Sequence, residues 1–237
     1  MESSLKKNIA IIPARGGSKL IPRKNIKPFL GKPIIGYSIQ AALESGLFDT
    51  VMVSTDDEEI KLVAESFGAS VPFFRSPESS NDHANIHEVL TEVLSEYANQ
   101  SVFFQNCCCI LATAPLVQDS RIKEAYYLME KAQSEGVVLM TPFTYPIQRA
   151  LAVKEERIHM VLPENLYVRS NDLEPRYHDA GQFFWVKTSF LDQGKSLFSG
   201  YGVPLIVSPN EVQDIDTEED WVLAETKFQL RLKSSIY

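Results

Sequence analysis

Residues 13–25 carry the clearest chemical signal in the sequence. They read Pro-Ala-Arg-Gly-Gly-Ser-Lys-Leu-Ile-Pro-Arg-Lys-Asn and follow a short apolar run over residues 9–12. Glycines let backbone N–H groups approach an anion, and the cationic side chains of Arg15, Lys19 and Lys24 neutralise its charge. The segment therefore predicts a phosphate-binding loop at the end of a buried strand.

A second candidate site is the carboxylate pair Asp214 and Asp216. Carboxylates two residues apart on an extended segment point to the same side. Two hard oxygen ligands suit Mg²⁺, which also takes phosphate oxygens and water. The pattern fits another interpretation equally, because Asp216 or Thr217 would also serve as the N-cap of the helix that follows. Spacing alone leaves both open.

Polar residues follow two further apolar runs. The string Val-Ser-Thr-Asp ends at Asp56, at the carboxyl end of a predicted strand, where open α/β sheets bind ligands. Asp56 or Asp57 would equally cap the next helix. The string Phe-Arg-Ser-Pro-Glu places Arg75 at the start of a loop that continues to Asp82, and a solvated loop is the alternative. Thr113 leaves another buried strand and should face the same crevice.

Composition narrows the class of protein. The chain has 237 residues, 44% of them hydrophobic, and a net charge of −8. This acidity argues against general nucleic-acid or anionic-membrane binding, and no apolar run approaches the roughly 20 residues that span a bilayer. The three cysteines are consecutive, which fits neither a zinc site nor a disulfide framework, and the first residues lack a signal-peptide core. We therefore expect a cytoplasmic protein with no membrane or nucleic-acid partner.

The periodicity alternates between strands and helices. Apolar runs predict strands at residues 9–12, 50–54, 71–74, 106–111, 137–140 and 201–207, and amphipathic segments predict helices at 33–45, 57–67, 84–97, 119–133 and 217 to about 232. Strands separated by helices imply an α/β fold, a Rossmann-like, mostly parallel sheet covered on both faces. Residues 143–185 break this rhythm, which predicts a subdomain inserted in a single domain that spans 1–237.

The full string of residues 13–25 closely resembles the signature loop of the sugar-activating nucleotidyltransferases. Within them it resembles the cytidylyltransferases of the CMP-sialic acid synthetase family, which also carry an Asp-x-Asp near the C-terminus. The polar strings of residues 143–185 are similar to those of the pseudaminic acid cytidylyltransferases in particular. Residues 111–116 read Leu-Ala-Thr-Ala-Pro-Leu and lack the Gln and the trailing Arg of the common sialic acid version. This departure argues against the common sugar.

The resemblance implies a reaction and a role for each candidate residue. The anomeric hydroxyl of an acidic nine-carbon sugar attacks the α-phosphate of CTP, and pyrophosphate leaves. Arg15, Lys19 and Lys24 would hold the triphosphate, and Asp214 and Asp216 would hold Mg²⁺. The nucleotide would be bound by Ala14, Gly16, Gly17, Ser18, Asn25, Arg75 and Asp82.

The resemblance also implies a sugar site in the insertion and a homodimer. The predicted sugar-binding residues are Thr113, Gln148, Arg149, Asn165, Arg169, His178, Asp179 and Gln182, and the two arginines are the candidates for the sugar carboxylate. Three alternatives stay open at this point: another nonulosonic acid such as N-acetylneuraminic or legionaminic acid, a metal-dependent nucleotide-sugar glycosyltransferase, and a non-catalytic nucleotide-binding module.

Overall fold

The computed structural model describes residues 4–18, 20–81 and 84–234. A six-stranded sheet with the strand order β10-β6-β9-β5-β1-β4 forms its centre, and two short antiparallel pairs, β2-β3 and β7-β8, lie outside it. The strands are β1 Ser4–Pro13, β2 Pro28–Phe29, β3 Lys32–Pro33, β4 Thr50–Ser54, β5 Val102–Ile110, β6 Gly136–Pro142, β7 Leu151–Lys154, β8 Arg157–Met160, β9 Tyr177–Lys187 and β10 Gly202–Ile206.

Five strands of the central sheet run parallel, and β9 runs opposite to its neighbours β5 and β6. The helices are α1 Ile35–Ser45, α2 Glu58–Ser66, α3 Pro77–Ser80, α4 Ile86–Asn99, α5 Asp119–Ala132, α6 Thr188–Leu191 and α7 Glu218–Ser234. Single 3₁₀ turns span Lys24–Ile26, Ile147–Arg149, Pro163–Asn165, Ser170–Asp172, Leu197–Ser199 and Pro209–Glu211.

Hydrophobic side chains cover both faces of the sheet. One cluster joins it to α1, α2 and α5, and a second joins it to α4 and α6. The three cysteines alternate between these clusters as a strand requires, with Cys108 in the first and Cys107 and Cys109 in the second, all fully buried. Burial raises the pKa of Cys109 to about 12, so its thiol stays protonated at neutral pH. The cysteines are core residues.

A third, smaller cluster connects distant parts of the chain. Ile21 from the predicted phosphate loop and Ile215 from between the two aspartates are both fully buried, and they pack with Trp221 of α7. Phe29, Ile34 and Ala224 are the other buried members of this cluster. Burial of apolar surface here fixes the loop, the aspartate pair and α7 relative to one another.

Two predictions about strands are wrong or incomplete. Residues 71–74 form no strand, and Ser70 makes only an isolated bridge to Met52. Pro72 explains this, because it has no N–H for a ladder hydrogen bond. Strand β9 was not predicted, and it lies inside the sheet although its residues overlap the predicted insertion. Insertion of residues 143–185 as a subdomain stays a prediction.

Candidate functional site

The carboxyl ends of the parallel strands meet at one edge of the sheet, where open α/β sheets bind ligands. The loops that leave β1, β4, β5 and β10 all lie at this edge. The loops after β1, β5 and β10 enclose a cavity of about 500 Å³ together with Arg75 and the start of α4. Its lining includes seven residues singled out from the sequence: Arg15, Ser18, Lys24, Asn25, Arg75, Thr113 and Asp216.

Backbone and amide contacts hold the predicted phosphate loop in shape. Ala14 N donates to the Ser54 carbonyl oxygen (2.9 Å), and Gly16 N donates to Asp56 Oδ1 (2.8 Å). Asn25 Nδ2 crosses the loop and donates to the Arg15 carbonyl oxygen (2.9 Å). The neighbouring strand end therefore anchors the start of the loop. Gly17 has open space around it. Lys19 and Asp82 lie outside the described residues.

Asp57 braces the loop from outside. It caps α2 by accepting from Ile60 N (3.0 Å), and it also accepts from the guanidinium of Arg23 (Nη2 to Oδ1, 2.9 Å), which in turn bonds Glu59. The hydrogen bonds from Arg23 hold the pKa of Asp57 at about 2, below its ordinary value. The helix-cap interpretation of Asp57 is confirmed. Arg23 serves this brace, whereas Arg15 and Lys24 of the same loop line the cavity.

Arg75 reaches the cavity from within the protein. It is 8% exposed, its Nε donates to Ser54 Oγ (3.0 Å), and its backbone N–H donates to the Thr55 carbonyl oxygen (2.8 Å). Burial lowers the pKa of its guanidinium, so the site contains a fixed, poorly hydrated positive charge. Such a group is suited to an anionic ligand.

Lys24 joins the loop to the aspartate pair. Its Nζ donates to the Ile215 carbonyl oxygen (2.6 Å) and lies 3.3 Å from Asp216 Oδ1. Only 18% of its side chain is exposed. A lysine in a surface loop ordinarily packs little, but Lys24 is tethered to the far end of the chain.

The two aspartates lie on either side of a buried residue. Ile215 is buried between them, so it anchors the segment while Asp216 remains solvent-accessible. The surrounding protein and the nearby Asp216 raise the pKa of Asp214, with a smaller contribution from Asp179. Asp214 packs against Gly181, whose φ of +62° and lack of a Cβ permit this approach. Mutually repelling carboxylates favour a bound cation, although no group of three His, Cys, Asp or Glu residues suited to a metal occurs in the described part of the chain.

Thr217, not Asp216, caps α7. Thr217 Oγ1 accepts from Asp220 N (3.2 Å), and Asp220 Oδ2 accepts in return from Thr217 N (2.8 Å). This reciprocal pair satisfies the helix terminus. The cap prediction is therefore right for Thr217 and wrong for Asp216, whose carboxylate instead lines the cavity.

The predicted sugar-binding residues of the insertion lie apart from this lining. Arg149 donates to Ser170 Oγ (3.1 Å), and Arg169 is paired with Asp172 (3.2 Å). Gln148 and Gln182 are buried, with their amides donating to the carbonyl oxygens of Glu174 and Glu211. Asn165 ends a 3₁₀ turn, and His178 and Asp179 begin β9 at the cavity's edge of the sheet. Their sugar-binding roles stay predictions.

Sequence reasoning missed the part of the cavity formed by α4. Asn85, Ile86 and Val89 line it, and Asn85 caps the helix in a reciprocal pair with Glu88. The N-terminus of a helix attracts anions. The Asn-x-x-Glu spacing of this capping box was the signal that could have placed the helix start at the site.

Comparison with known proteins decides the family. The family model described as cytidylyltransferase matches residues 9–184. The chain is a member of the cytidylyltransferase family. It is 40% identical over 97% of its length to a pseudaminic acid cytidylyltransferase of Campylobacter jejuni, covering 99% of that protein. It is 31% identical over 96% of its length to a CMP-N,N'-diacetyllegionaminic acid synthase of Legionella pneumophila, also covering 99%.

Solved structures support the fold assignment. A CMP:2-keto-3-deoxy-manno-octonic acid synthetase complexed with CTP superposes with a TM-score of 0.70 at 18% identity, covering 96% of this chain and 100% of that one. The predicted nucleotidyltransferase fold is thus confirmed. Membership of the cytidylyltransferase family also excludes the two alternatives of another class, a glycosyltransferase and a non-catalytic nucleotide-binding module. None of the described helices combines the length and apolar character needed to cross a bilayer.

Proposed function

We propose that this cytidylyltransferase transfers CMP from CTP to the anomeric hydroxyl of a nonulosonic acid, pseudaminic acid, and releases pyrophosphate. The observation that carries the proposal is the convergence of Arg15, Lys24, Arg75 and Asp216 on one cavity at the carboxyl edge of the sheet. The similarity to the Campylobacter jejuni enzyme over nearly the whole chain supports the choice of sugar.

The residues of the cavity neutralise charge and fix positions. In the proposed complex Arg15 and Lys24 bind the triphosphate, and Lys24 stabilises the departing pyrophosphate. Asn25 keeps the loop closed through its bond to Arg15, and Arg75 adds a fixed charge. Phosphoryl and nucleotidyl transfer need little covalent chemistry from the protein, so this preorganised positive environment supplies much of the rate.

Asp214 and Asp216 would hold Mg²⁺. Two carboxylates leave coordination positions for phosphate oxygens and waters, as Mg²⁺ prefers. Burial, and after it repulsion from Asp216, raises the pKa of Asp214, and a bound cation would offset both effects. When bound, the metal would neutralise phosphate charge and acidify the attacking hydroxyl. Lys24 Nζ, which bonds the backbone between the two aspartates, keeps their carboxylates beside the phosphate loop.

We place the sugar beside the nucleotide cavity. An adjoining cavity of about 300 Å³ shares Ile86 with it and is lined mainly by apolar side chains such as Phe184 and Phe198, with Asp179 and His87 among the polar exceptions. Acylamino and methyl groups of pseudaminic acid offer apolar surface to such walls, and the hydroxyls would meet the polar side chains. The sugar's anomeric carbon would then face the α-phosphate.

The two glycines of the loop offer a matched test of its geometry. A Cβ on Gly16 would lie 2.6 Å from Asp57 Oδ2, whereas a Cβ on Gly17 would meet nothing within 4 Å. Gly16→Ala should therefore displace the loop and lower kcat/KM for CTP roughly 10- to 100-fold, because small misplacements of binding groups are costly. Gly17→Ala, the comparison, should leave the loop undisplaced, so its kcat/KM for CTP should fall less than that of Gly16→Ala. Equal effects of the two substitutions would contradict this account of the loop.

The antiparallel pair β7-β8 fits a homodimer contact. Several of its large apolar side chains face solvent, among them Val153 (75% exposed) and Ile158 (73% exposed), and Tyr167 nearby is 93% exposed. Clusters of this kind mark protein interfaces, and we assign this one to a second copy of the chain. Light scattering should give twice the mass of the chain, and the mass of one chain would contradict the assignment.

A reaction with purified protein tests the function. With Mg²⁺, CTP and pseudaminic acid we expect pyrophosphate release in step with a product of the mass of CMP-pseudaminic acid. Omitting the sugar, or replacing CTP by ATP, GTP or UTP, should abolish the release. Pyrophosphate release that is independent of the sugar would contradict the proposal.

A further inference from the structure

The segment that carries Asp214 and Asp216 has little regular structure of its own. After the 3₁₀ turn Pro209–Glu211 it runs without a strand partner to α7. Its first half is fastened by Glu211, which accepts two hydrogen bonds from Arg121 (2.9 and 3.0 Å). The part that adjoins the aspartates needs a separate support.

Lys227 of α7 supplies that support. Its Nζ donates to the carbonyl oxygens of Pro209 (2.9 Å) and Val212 (2.7 Å) and to Gln213 Oε1 (3.0 Å). The three protons of the ammonium thus have three oxygen acceptors on the segment. Among the described residues no carboxylate pairs with Lys227, and burial lowers its pKa. Partial burial of an unpaired charge is costly, so a surface role does not explain this arrangement.

Hydrogen bonds continue from Lys227 to the backbone of both aspartates. Gln213, which accepts from Lys227, donates through Nε2 to the Asp214 carbonyl oxygen (2.9 Å). The same amide lies 3.4 Å from Asp220 Oδ1, and Asp220 Oδ2 accepts from Asp216 N (3.1 Å). These contacts all end on main-chain atoms of the pair, so the network from Lys227 occupies neither carboxylate. Lys24 Nζ is the group that contacts Asp216 Oδ1 (3.3 Å).

We propose that Lys227 is a positioning residue that fixes the backbone of Asp214 and Asp216, and so orients the carboxylates that would hold Mg²⁺. This inference rests on the proposed function of the pair. Lys227 does not itself line the cavity. Residues that orient metal ligands in this way typically contribute about 10- to 100-fold to metal affinity or activity.

Lys227→Met tests the inference, with Lys131→Met on the exposed face of α5 as the matched control. Mn²⁺ serves as the probe, because its binding to the protein with CTP is measured directly by electron paramagnetic resonance. We expect Lys227→Met to weaken Mn²⁺ binding at least about tenfold and to speed hydrogen exchange over residues 209–216. Lys131→Met should match the parent in both measurements.

Three outcomes separate the possible failures. If folded Lys227→Met binds Mn²⁺ like the parent while Asp216→Asn does not, the positioning role is wrong and the metal role of Asp216 stands. If Asp216→Asn also binds like the parent, the proposed function of the pair is wrong as well. If Lys227→Met does not fold, Lys227→Gln takes its place, and parent-like Mn²⁺ binding by that variant would overturn the inference.

Discussion

Lys24→Ala should lower kcat/KM for CTP by an amount equivalent to about 2–4 kcal/mol, the range for removing one preorganised charge-stabilising group. Lys24 lines the cavity and contacts the aspartate pair, so the substitution removes a phosphate ligand and loosens the connection between the two halves of the site. Because its side chain is mostly buried, the melting temperature should also fall. Steady-state kinetics and thermal denaturation measure the two effects.

Lys27→Ala is the control for Lys24→Ala. Lys27 belongs to the same stretch of chain and also contacts the C-terminal part, through an ion pair with Glu218 (2.6 Å) and the ring of Trp221, but it does not line the cavity. The Lys27→Ala enzyme should have a lower melting temperature than the parent and an unchanged kcat/KM for CTP. A Lys24→Ala enzyme with near-parental kcat/KM, or an equal kinetic loss in Lys27→Ala, would show that Lys24 is a structural residue only.

Removal of the metal, or of Asp216, should have the second large effect. Chelation with EDTA should stop pyrophosphate release and excess Mg²⁺ should restore it, because without a cation the two carboxylates would repel the phosphates. Asp216→Asn should lower kcat about a hundredfold with little change in melting temperature, since its carboxylate does not cap α7. Titration of activity with Mg²⁺ measures the dependence.

Thr217→Ala separates the metal role from the helix-cap role. It removes the side chain that caps α7 and should cost about 1 kcal/mol of folding stability while leaving the Mg²⁺ dependence unchanged. Full activity after EDTA treatment would contradict the metal role. The metal role would also be contradicted if Asp216→Asn lowered the stability of the protein while its folded fraction kept the parental response to Mg²⁺.

Local patterns predicted much of the fold. The apolar run before Pro13 and the alternating burial of the cysteines are set by short-range periodicity, which the sequence displays directly. The strand predicted at residues 71–74 failed because one proline outweighed the apolar run. The sequence pattern did not predict strand β9, because its first residues are polar and Gly181 interrupts its apolar run. The strand forms by pairing with β5 and β6, which are far away in the chain.

The candidate site also has residues that the sequence indicates and residues that it does not. Arg15, Lys24 and Asp216 were singled out because their residue types and spacing indicate phosphate and metal chemistry, and Asn25 was singled out through the resemblance of the loop to the family signature. The supports were not found, because a lysine in a helix carries no sign of the oxygens that it will meet. The bond from Lys24 to Ile215 spans 191 residues, and the brace from Arg23 to Asp57 spans 34. The packing of the third cluster brings Lys24 and Ile215 together, and the pairing of β1 with β4 brings the loop of Arg23 to the start of α2.

Competition between two sugars tests the central claim most directly. The purified protein, Mg²⁺ and CTP are supplied with equal amounts of pseudaminic acid and N-acetylneuraminic acid, and mass spectrometry follows both CMP-linked products. We predict that CMP-pseudaminic acid forms first, with kcat/KM at least about tenfold higher, because differences of a few substrate groups in a shaped pocket are worth this much. Preferential formation of CMP-N-acetylneuraminic acid would contradict the sugar assignment, and formation of neither product would contradict the proposed reaction itself.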